Sequence, residues 1–306
     1  MALSDTPRWQ RLGWIGNPAG SVPWALTHAA LPVTEPSGPG RWHVYVSCRD
    51  AAGRAHIGRC ELCLHPTPTL SALSPEPVLA PGPLGAFDDS GVTMSCLVSD
   101  GTDKWLYYTG WTRGVTVPFY LFTGVARSTD GGQTFARVSK APALDRSDDD
   151  PYLNASPCVL IEGGLWRMWY ISGTRWDDGD LAPRHYYHVK YTESDTGAHW
   201  RRPRRVAIDY ASPDEYAFGR ACVVAHDGGY RMWYSFRGHS YRIGGAESAD
   251  GLSWTRRDDE LGLAPAATWE SGMVEYPWIF DWEGRRYMLY NGNDYGRTGL
   301  GLAVWE

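Results

Sequence analysis

Acidic side chains recur at four places in the sequence, each eight residues before the central residue of a short apolar segment. Four such carboxylates are present: Asp88, Asp150, Asp214 and Glu270. Because aspartate often caps turns, part of this set is expected to be structural. Asp150 is the clearest case, since it ends an acidic run that stands directly before Pro151. Asp88 is a candidate for binding a substrate.

Three other acids have the chemistry needed for proton transfer or nucleophilic attack: Asp89, Glu215 and Glu275. Glu275 is the most informative, because it lies inside the apolar segment 273–278, where an unpaired carboxylate is costly. Arg220 is a candidate partner for its charge. Two carboxylates, one acting as acid and the other as base or nucleophile, can cleave a glycosidic bond. We therefore predict that these three acids carry the catalytic chemistry.

A second set of side chains is suited to binding a polyhydroxylated substrate. Aromatic faces could stack on sugar rings, and arginine can hold a carboxylate or phosphate through two hydrogen bonds. For any single arginine, an ordinary surface ion pair is the competing interpretation. We predict binding roles for nine residues: His28, Arg49, Asp50, Asp88, Tyr152, Asn154, Arg220, Tyr276 and Asn291.

An aromatic stretch that recurs five times predicts the elements that bring these residues together. Its clearest copies are residues 166–170 and 230–234. The final tyrosine of each copy falls at position 45, 108, 170, 234 or 290, which gives steps of 63, 62, 64 and 56 residues. A fixed period indicates a repeat architecture, and the aromatic content favours β-strands over helices.

The sequence around each aromatic strand follows a common order. An apolar strand precedes it, usually through a tight turn, and a third strand follows it. A fourth strand completes an antiparallel unit. Five such units in a closed ring form an all-β, five-bladed β-propeller, and residues 9–15 are expected to supply the strand that closes the last blade. We predict a single domain over residues 1–306.

In a propeller the first strands of all units surround one central channel. We align these strands on Leu31, Cys96, Cys158, Cys222 and Trp278. The three cysteines at one aligned position are interpreted as small core residues rather than ligands. The alignment brings five polar residues to the channel mouth: His28, Asp89, Glu215, Arg220 and Glu275.

The composition excludes several function classes. The net charge is -6 and no basic cluster is present, so we expect neither nucleic acid nor a membrane as a partner. No apolar run is long enough to cross a bilayer, and the first residues lack the features of a signal peptide. The six cysteines form no disulfide-type pattern, and Cys60 and Cys63 lack a second pair for zinc. We expect a cytoplasmic protein that needs no cofactor or metal and binds a small molecule or glycan; its oligomeric state stays open.

These features resemble the five-bladed β-propeller glycosidase superfamily of arabinanases, xylosidases, fructosidases and mannoside phosphorylases. The matching segments are the Arg-Met-Trp-Tyr strands and residues 28–32, 87–91, 275–277 and 290–293. The chain is most similar to uncharacterised glycosidase-like propellers of bacterial surface-polysaccharide gene sets. The resemblance implies three acids, one from each of the first three blades. Here the first blade offers only His28, and the best acids lie on the fourth and fifth.

Three hypotheses for function follow. The first is a glycoside hydrolase-like enzyme that acts on a sugar or activated sugar in the central funnel by carboxylate acid–base chemistry. The second is a non-catalytic glycan-binding propeller, and the third is a lyase, cyclase or isomerase acting on a charged metabolite. Carboxylates about 5–9.5 Å apart across an open pocket favour the first. Acids sealed in arginine pairs favour the second, and clustered arginines around one lone acid favour the third.

Overall fold

A computed structural model of the protein describes residues 8–179, 183–201, 205–266 and 268–306. This part of the chain is built from 21 β-strands with only short helical segments, in agreement with the predicted all-β class. The first strand is β1 (Trp9–Gly16). Pairing groups the strands that follow into successive antiparallel units.

The first three units each contain four strands. The first is formed by β2 (Thr27–Gly38), β3 (Arg41–Arg49), β4 (Ala55–Cys63) and β5 (Thr69–Leu70). The second is formed by β6 (Gly91–Ser99), β7 (Lys104–Arg113), β8 (Phe119–Ser128) and β9 (Ala136–Arg137). The third is formed by β10 (Asn154–Glu162), β11 (Leu165–Asp177), β12 (Arg184–Ser194) and β13 (Arg205–Ile208).

The fourth unit begins with a divided strand and the fifth follows two short helical segments. The fourth is formed by β14 (Ala217–Phe218), β15 (Cys222–His226), β16 (Gly229–Arg237), β17 (Tyr241–Ser248) and β18 (Thr255–Arg256). The fifth contains β19 (Glu275–Trp282), β20 (Arg285–Asn291) and β21 (Leu300–Trp305). The helical segments are α1 (Asp258–Leu261), a 3₁₀ turn (Thr268–Glu270) and α2 (Asn293–Gly296). No helix among the described residues has the length and apolar character needed to cross a membrane.

Strand β1 completes the fifth unit, as the sequence predicts. It pairs antiparallel with β21, from Trp9 opposite Trp305 to Gly16 opposite Leu300. The indole of Trp9 also contacts Trp233 of the fourth unit edge-on, with ring centroids 5.9 Å apart. The strand therefore completes one sheet and anchors it against its neighbour.

The final tyrosine of each aromatic strand is buried, and a carboxylate faces its hydroxyl group. In order of the units, these carboxylates belong to Glu35, Asp88, Asp150, Asp258 and Glu270. Each carboxylate is also paired with a basic side chain from another strand or turn: Lys104, Arg137, Lys190, Arg256 and Arg11. Three of the four recurring acids of the sequence therefore serve the scaffold, and Asp214 is not among them.

Polar side chains on the second strands join each unit to the next. The hydroxyl of Ser47 accepts a hydrogen bond from the backbone N–H of Met94 at 2.7 Å. Equivalent bonds join the second unit to the third and the fourth to the fifth. Asn291 joins the fifth unit to the first, since its Oδ1 accepts from the N–H of Leu31 at 2.9 Å. The first strands therefore surround one central axis.

Cysteine thiols form a second set of joints around this axis. The Sγ atoms of Cys96, Cys158 and Cys222 each accept a backbone N–H of the following unit at 3.3 Å. Burial raises the pKa of Cys222 to about 12, so this group stays a neutral thiol. All six cysteines are free thiols. The three aligned cysteines are thus packed in the core, as predicted.

The strand register corrects the alignment of the first unit. Thr34, not Leu31, is the counterpart of Cys96, because each pairs with the residue before the final tyrosine of its aromatic strand. The pairing of β2 with β3 is irregular at the start of β2, which adds residues that the other units lack. The sequence alignment of the first unit was therefore wrong by three residues. His28 is therefore not the counterpart of Glu275, although it still reaches the mouth of the channel.

Asn291 was predicted to bind substrate, but its polar atoms are all occupied within the scaffold. The side chain is fully buried. In addition to its bond with Leu31, its Nδ2 donates to the carbonyl oxygens of Ala29 at 2.7 Å and Gly299 at 2.9 Å. The amide therefore satisfies three backbone groups at the junction of the last and first units.

We expect Asn291→Ala to lower the free energy of unfolding by about 3 kcal/mol, because it leaves buried backbone groups without partners. Urea denaturation followed by tryptophan fluorescence measures this loss. Asn17→Ala is the control, since the Asn17 amide bonds to the Arg297 carbonyl and the Ala19 N–H near the surface, and it should change the free energy by about 1 kcal/mol or less. Similar losses in the two variants would contradict the junction role.

Candidate functional site

A cavity of about 420 Å³ lies at the central axis, and all five units contribute to its lining. This volume falls within the roughly 300–1,000 Å³ range of small-molecule sites. Its walls are largely apolar and aromatic, and they include Trp111, Phe119, Tyr187, Tyr241, Tyr276 and Tyr295. Aromatic faces of this kind can stack on the apolar faces of sugar rings. We refer to this cavity as the central pocket.

Arg49 and His28 stand together at the mouth of the central pocket, as predicted. The ring of His28 is partly buried, and its Nδ1 lies 2.9 Å from the hydroxyl of Thr27. Burial, together with the charges of Arg49 and Arg297, lowers the pKa of His28 to about 4. His28 is therefore neutral at pH 7 and can donate or accept a hydrogen bond.

His185 and Tyr187 form the opposite part of the lining, and sequence analysis missed both. Their rings stack with centroids 4.7 Å apart and planes only 4° from parallel. Burial lowers the pKa of His185 to about 4, with the charges of Arg237 and Arg184 acting in the same direction. Both pocket histidines are thus neutral at pH 7. A search for aromatic pairs at the start of the third strands would have found this feature.

Glu275 is fully buried and precedes Tyr276, whose ring lines the central pocket, but Glu275 is not itself part of the lining. Neither carboxyl oxygen has a hydrogen-bond partner among the described residues. Burial raises the pKa of Glu275 well above its usual value of 4.5, and the charge of Arg237 and the hydroxyl of Tyr276 only partly oppose the shift. Burial and then the charge of Glu275 raise the pKa of Tyr276 well above 10. Glu275 therefore favours its protonated form.

Arg220 does not pair with Glu275, contrary to our expectation. It is fully buried, and its Nη2 donates to the backbone carbonyls of Tyr276 at 2.8 Å and Pro277 at 3.0 Å. Its guanidinium also lies 5.4 Å from the ring centroid of Trp278. Arg220 reaches the carbonyls of the two residues after Glu275 rather than the Glu275 side chain, so these two buried side chains do not form an ion pair.

Tyr276 combines a pocket-lining ring with a strained backbone. Its φ is 57°, a left-handed conformation that is uncommon for a tyrosine. Two contacts hold it, since Ser235 accepts its N–H at 2.7 Å and Arg220 binds its carbonyl. The strain turns the ring of Tyr276 into the pocket while Glu275 stays buried beside it. Such strained positions are concentrated at binding and catalytic sites.

Glu215 does not reach the central pocket. Its two carboxyl oxygens accept hydrogen bonds from Arg256 at 2.7 and 2.9 Å, and one also accepts the N–H of Ala211 at 2.8 Å. The guanidinium of Arg256 comes from the fourth strand of the same unit, on the outer side. The predicted convergence of Glu215 with Glu275 is therefore wrong, because a local ion pair holds Glu215 away from the axis.

Asp89 and Asp50 also lie outside the central pocket. Asp89 lines a separate cavity of about 240 Å³ beside Arg113, and its carboxylate accepts the N–H of Gly85 at 2.9 Å. Asp50 caps its own turn and contacts His56 Nε2 at 3.1 Å. Burial alone would raise the pKa of Asp50, but the hydrogen bonds from His56 and Arg54 outweigh it, and the pKa is lowered. The predicted convergence of Asp89 on the channel mouth is wrong, since its turn faces outward.

Three further predicted binding residues belong to the scaffold or the outer surface. Asp88 is buried and binds the hydroxyl of Tyr108 and the guanidinium of Arg137. Asn154 is buried and accepts the N–H of Thr123 at 2.9 Å. Tyr152 is 38% exposed and does not line the central pocket. Of the twelve predicted residues, His28, Arg49 and Tyr276 line the pocket, and Glu275 and Arg220 are buried next to Tyr276.

Comparisons with known proteins give close relatives in mycobacteria. The chain is 42% identical to the uncharacterized protein MT1551 and 41% identical to the uncharacterized protein Rv1502, both from Mycobacterium tuberculosis. Each alignment covers 97% of this chain and 99% of the relative. No protein-family model matches the sequence.

Solved structures with a similar fold include several glycoside hydrolases. One superposes with a TM-score of 0.72 at 16% identity, over 98% of this chain and 92% of the other. A thermostable family-43 glycoside hydrolase gives 0.68 at 16% identity, over 95% and 92%. A member of the GH130 family of mannoside phosphorylases, which contains hydrolases of β-1,2 mannosidic linkages in Candida mannan, gives 0.66 at 15% identity, over 99% and 95%. At these identities the similarity establishes a shared propeller-type fold.

Proposed function

We propose that this chain, which belongs to the same family as the mycobacterial proteins MT1551 and Rv1502, is a cytoplasmic enzyme that acts on a sugar or activated sugar. The five antiparallel units would be the blades of a five-bladed propeller, and the central pocket would be its active site. The aromatic lining supports a sugar ligand, and the fold shared with glycoside hydrolases supports chemistry on glycosidic bonds.

The observation that carries this proposal is the state of Glu275. A general acid must hold its proton at the working pH, and burial shifts the pKa of Glu275 upward, in the direction that this role needs. Both of its oxygens lack partners among the described residues, whereas Glu215 and the scaffold carboxylates are occupied by basic side chains. Within the part of the chain described, Glu275 is the acid beside the pocket that is available for proton transfer.

Tyr276 follows Glu275 in the chain and lines the pocket, so we assign it the direct contact with the substrate. In the proposed reaction the Tyr276 hydroxyl donates its proton to the leaving oxygen of the sugar as the C–O bond breaks, and Glu275 returns a proton to the phenol oxygen. Water or a second sugar attacks the carbon, and the proton it releases returns to Glu275 through the Tyr276 hydroxyl, because Glu275 itself has no surface in the pocket. The chemistry differs from the predicted use of two carboxylates, because neither Asp89 nor Glu215 faces this pocket.

The direct test is a substrate screen with the full chain. Thermal unfolding in the presence of simple hexoses, glycosides and sugar 1-phosphates identifies ligands, and chromatography of overnight reactions detects products. Stabilisation by at least one sugar together with product formation is the expected result. If no member of the panel stabilises the protein or is converted, the proposal of a sugar-acting enzyme fails.

A non-catalytic glycan-binding protein is the second candidate, and one observation favours it. Among the described residues that line the central pocket, no carboxylate is present, and Glu275 itself has no exposed surface. Binding without product formation in the same screen would select this candidate. The third hypothesis, a lyase, cyclase or isomerase acting on a charged metabolite, stays a prediction. The sugar 1-phosphates in the screen are the compounds that test it.

A further inference from the structure

The charge of the central pocket is opposite to that of the whole protein. The chain carries a net charge of -6. Among the described residues that line the pocket, however, the one with a permanent charge is Arg49, and this charge is positive. Its guanidinium makes no ion pair with a described carboxylate, whereas Arg137, Arg167 and Arg256 in the scaffold are each paired with one. An arginine left free in a cavity is available to a ligand.

Two more arginines stand close to the same cavity. Arg297 is near enough to lower the pKa of His28 together with Arg49. Arg237 lies within 5.4 Å of the ring centroid of Tyr216 and donates from Nη1 to the hydroxyl of Tyr295 at 3.0 Å, while its Nε is buried without a partner. Neither arginine is paired with a carboxylate among the described residues.

The local charge balance includes one acid at the rim. Asp294 is exposed and shifts the pKa of His28 in the direction opposite to the arginines. Burial favours the protonated form of Glu275, and His28 and His185 are neutral at pH 7, so these three groups do little to cancel the arginine charges. The pocket is therefore net positive.

We propose that the ligand of the central pocket is an anionic sugar, with its phosphate or carboxylate group on Arg49 and its ring against the aromatic walls. This inference rests on the proposed function, since it specifies the substrate class of the same site. A planar guanidinium can bind either anion through two parallel hydrogen bonds. The neutral ring of His28 beside it can add a third, and an anion held there would raise the pKa of His28.

The test compares matched ligands by isothermal titration calorimetry at constant ionic strength. For glucose, galactose and mannose, the full-length protein is titrated with the neutral sugar, the uronate and the 1-phosphate, and with inorganic phosphate alone. At least one anionic sugar is expected to bind about tenfold or more tightly than its neutral parent, a difference of about 1.4 kcal/mol. The uronate and 1-phosphate series show which anionic group is bound.

Two variants assign the preference to one side chain. Arg49→Gln should remove it. Arg113→Gln should retain it, because Arg113 ends β7 as Arg49 ends β3, but it lies outside the central pocket and donates to the carbonyl of Ala52 at 2.6 Å. Equal affinity for neutral and anionic sugars, or a preference that survives in Arg49→Gln, would overturn the anionic-ligand inference while leaving the proposed function intact. Failure of every sugar to bind would overturn the proposed function itself.

Discussion

Turnover of any sugar substrate is expected to fall by at least about a hundredfold in Glu275→Gln, because general acid catalysis typically contributes 10²–10⁴-fold. Glutamine has nearly the shape of the protonated glutamic acid, so the pocket should keep its ligand affinity. Steady-state kinetics would therefore show a lower kcat with little change in KM. Retained turnover would remove Glu275 from the reaction.

The stability of Glu275→Gln relative to the wild type should increase as the pH rises. Because the folded-state pKa of Glu275 is raised above 4.5, the unfolded chain releases this proton at a lower pH than the folded chain does. The wild-type protein therefore loses stability as the pH rises from about 4.5 towards the folded-state pKa, by up to about 1.4 kcal/mol per pH unit. Glu275→Gln lacks this loss, so its advantage should be small at pH 5 and larger at pH 8.

Urea denaturation at pH 5, 7 and 8 measures this difference, with Glu215→Gln as the matched control. Glu215→Gln weakens the paired contact with Arg256 and should reduce stability while leaving turnover nearly unchanged, because Glu215 lies outside the pocket. A stability difference between wild type and Glu275→Gln that does not grow with pH would show that the Glu275 carboxyl is solvated. The two readouts separate a catalytic role from the effect of burial alone.

The fold could be predicted because its signals repeat. The final tyrosines of the aromatic strands are all buried, and their spacing correctly located the second strand of each of the five units. The closing role of β1 followed from the missing fourth strand of the last unit. Alignment failed at the first unit, because a strand bulge near Leu31 has no signature in a single sequence.

The site was harder to predict, because sequence position does not give side-chain direction or partners. Asp88 and Asp89 are neighbours, yet one enters the scaffold and the other faces a separate surface cavity. Four of the five basic partners of the scaffold acids are distant in sequence, and the fifth, Arg256, lies two residues from Asp258, so the partners share no common spacing that could be aligned. Glu275 was found because a carboxylate inside an apolar strand is unusual wherever the strand lies. The pocket residues of the third strands, such as Tyr187, lie outside the repeated aromatic stretch on which the alignment was based.

Asp150→Ala is expected to have the largest effect on stability, with a loss of about 3–5 kcal/mol. The carboxylate of Asp150 is fully buried and accepts hydrogen bonds from Ser172 at 2.6 Å, Tyr170 at 3.0 Å and Lys190 at 3.1 Å. Its removal leaves the ammonium group of Lys190 nearly buried beside two hydroxyls that lose their acceptor. Thermal and urea unfolding of the purified variant measure the loss.

Asp89→Ala is the control for this substitution, since Asp89 lies in a partly exposed turn and should cost about 1 kcal/mol or less. If Asp150→Ala abolishes folding, Asp150→Asn with Lys190→Met tests the same cluster by removing both charges, and it should recover part of the stability. Equal stability of Asp150→Ala and Asp89→Ala would contradict the cluster. Because Asp88 and Glu270 are as fully buried as Asp150 and face the tyrosines of their own units, a confirmed loss at Asp150 would predict similar losses at these two acids, and Glu275 would remain the acid whose burial serves the pocket.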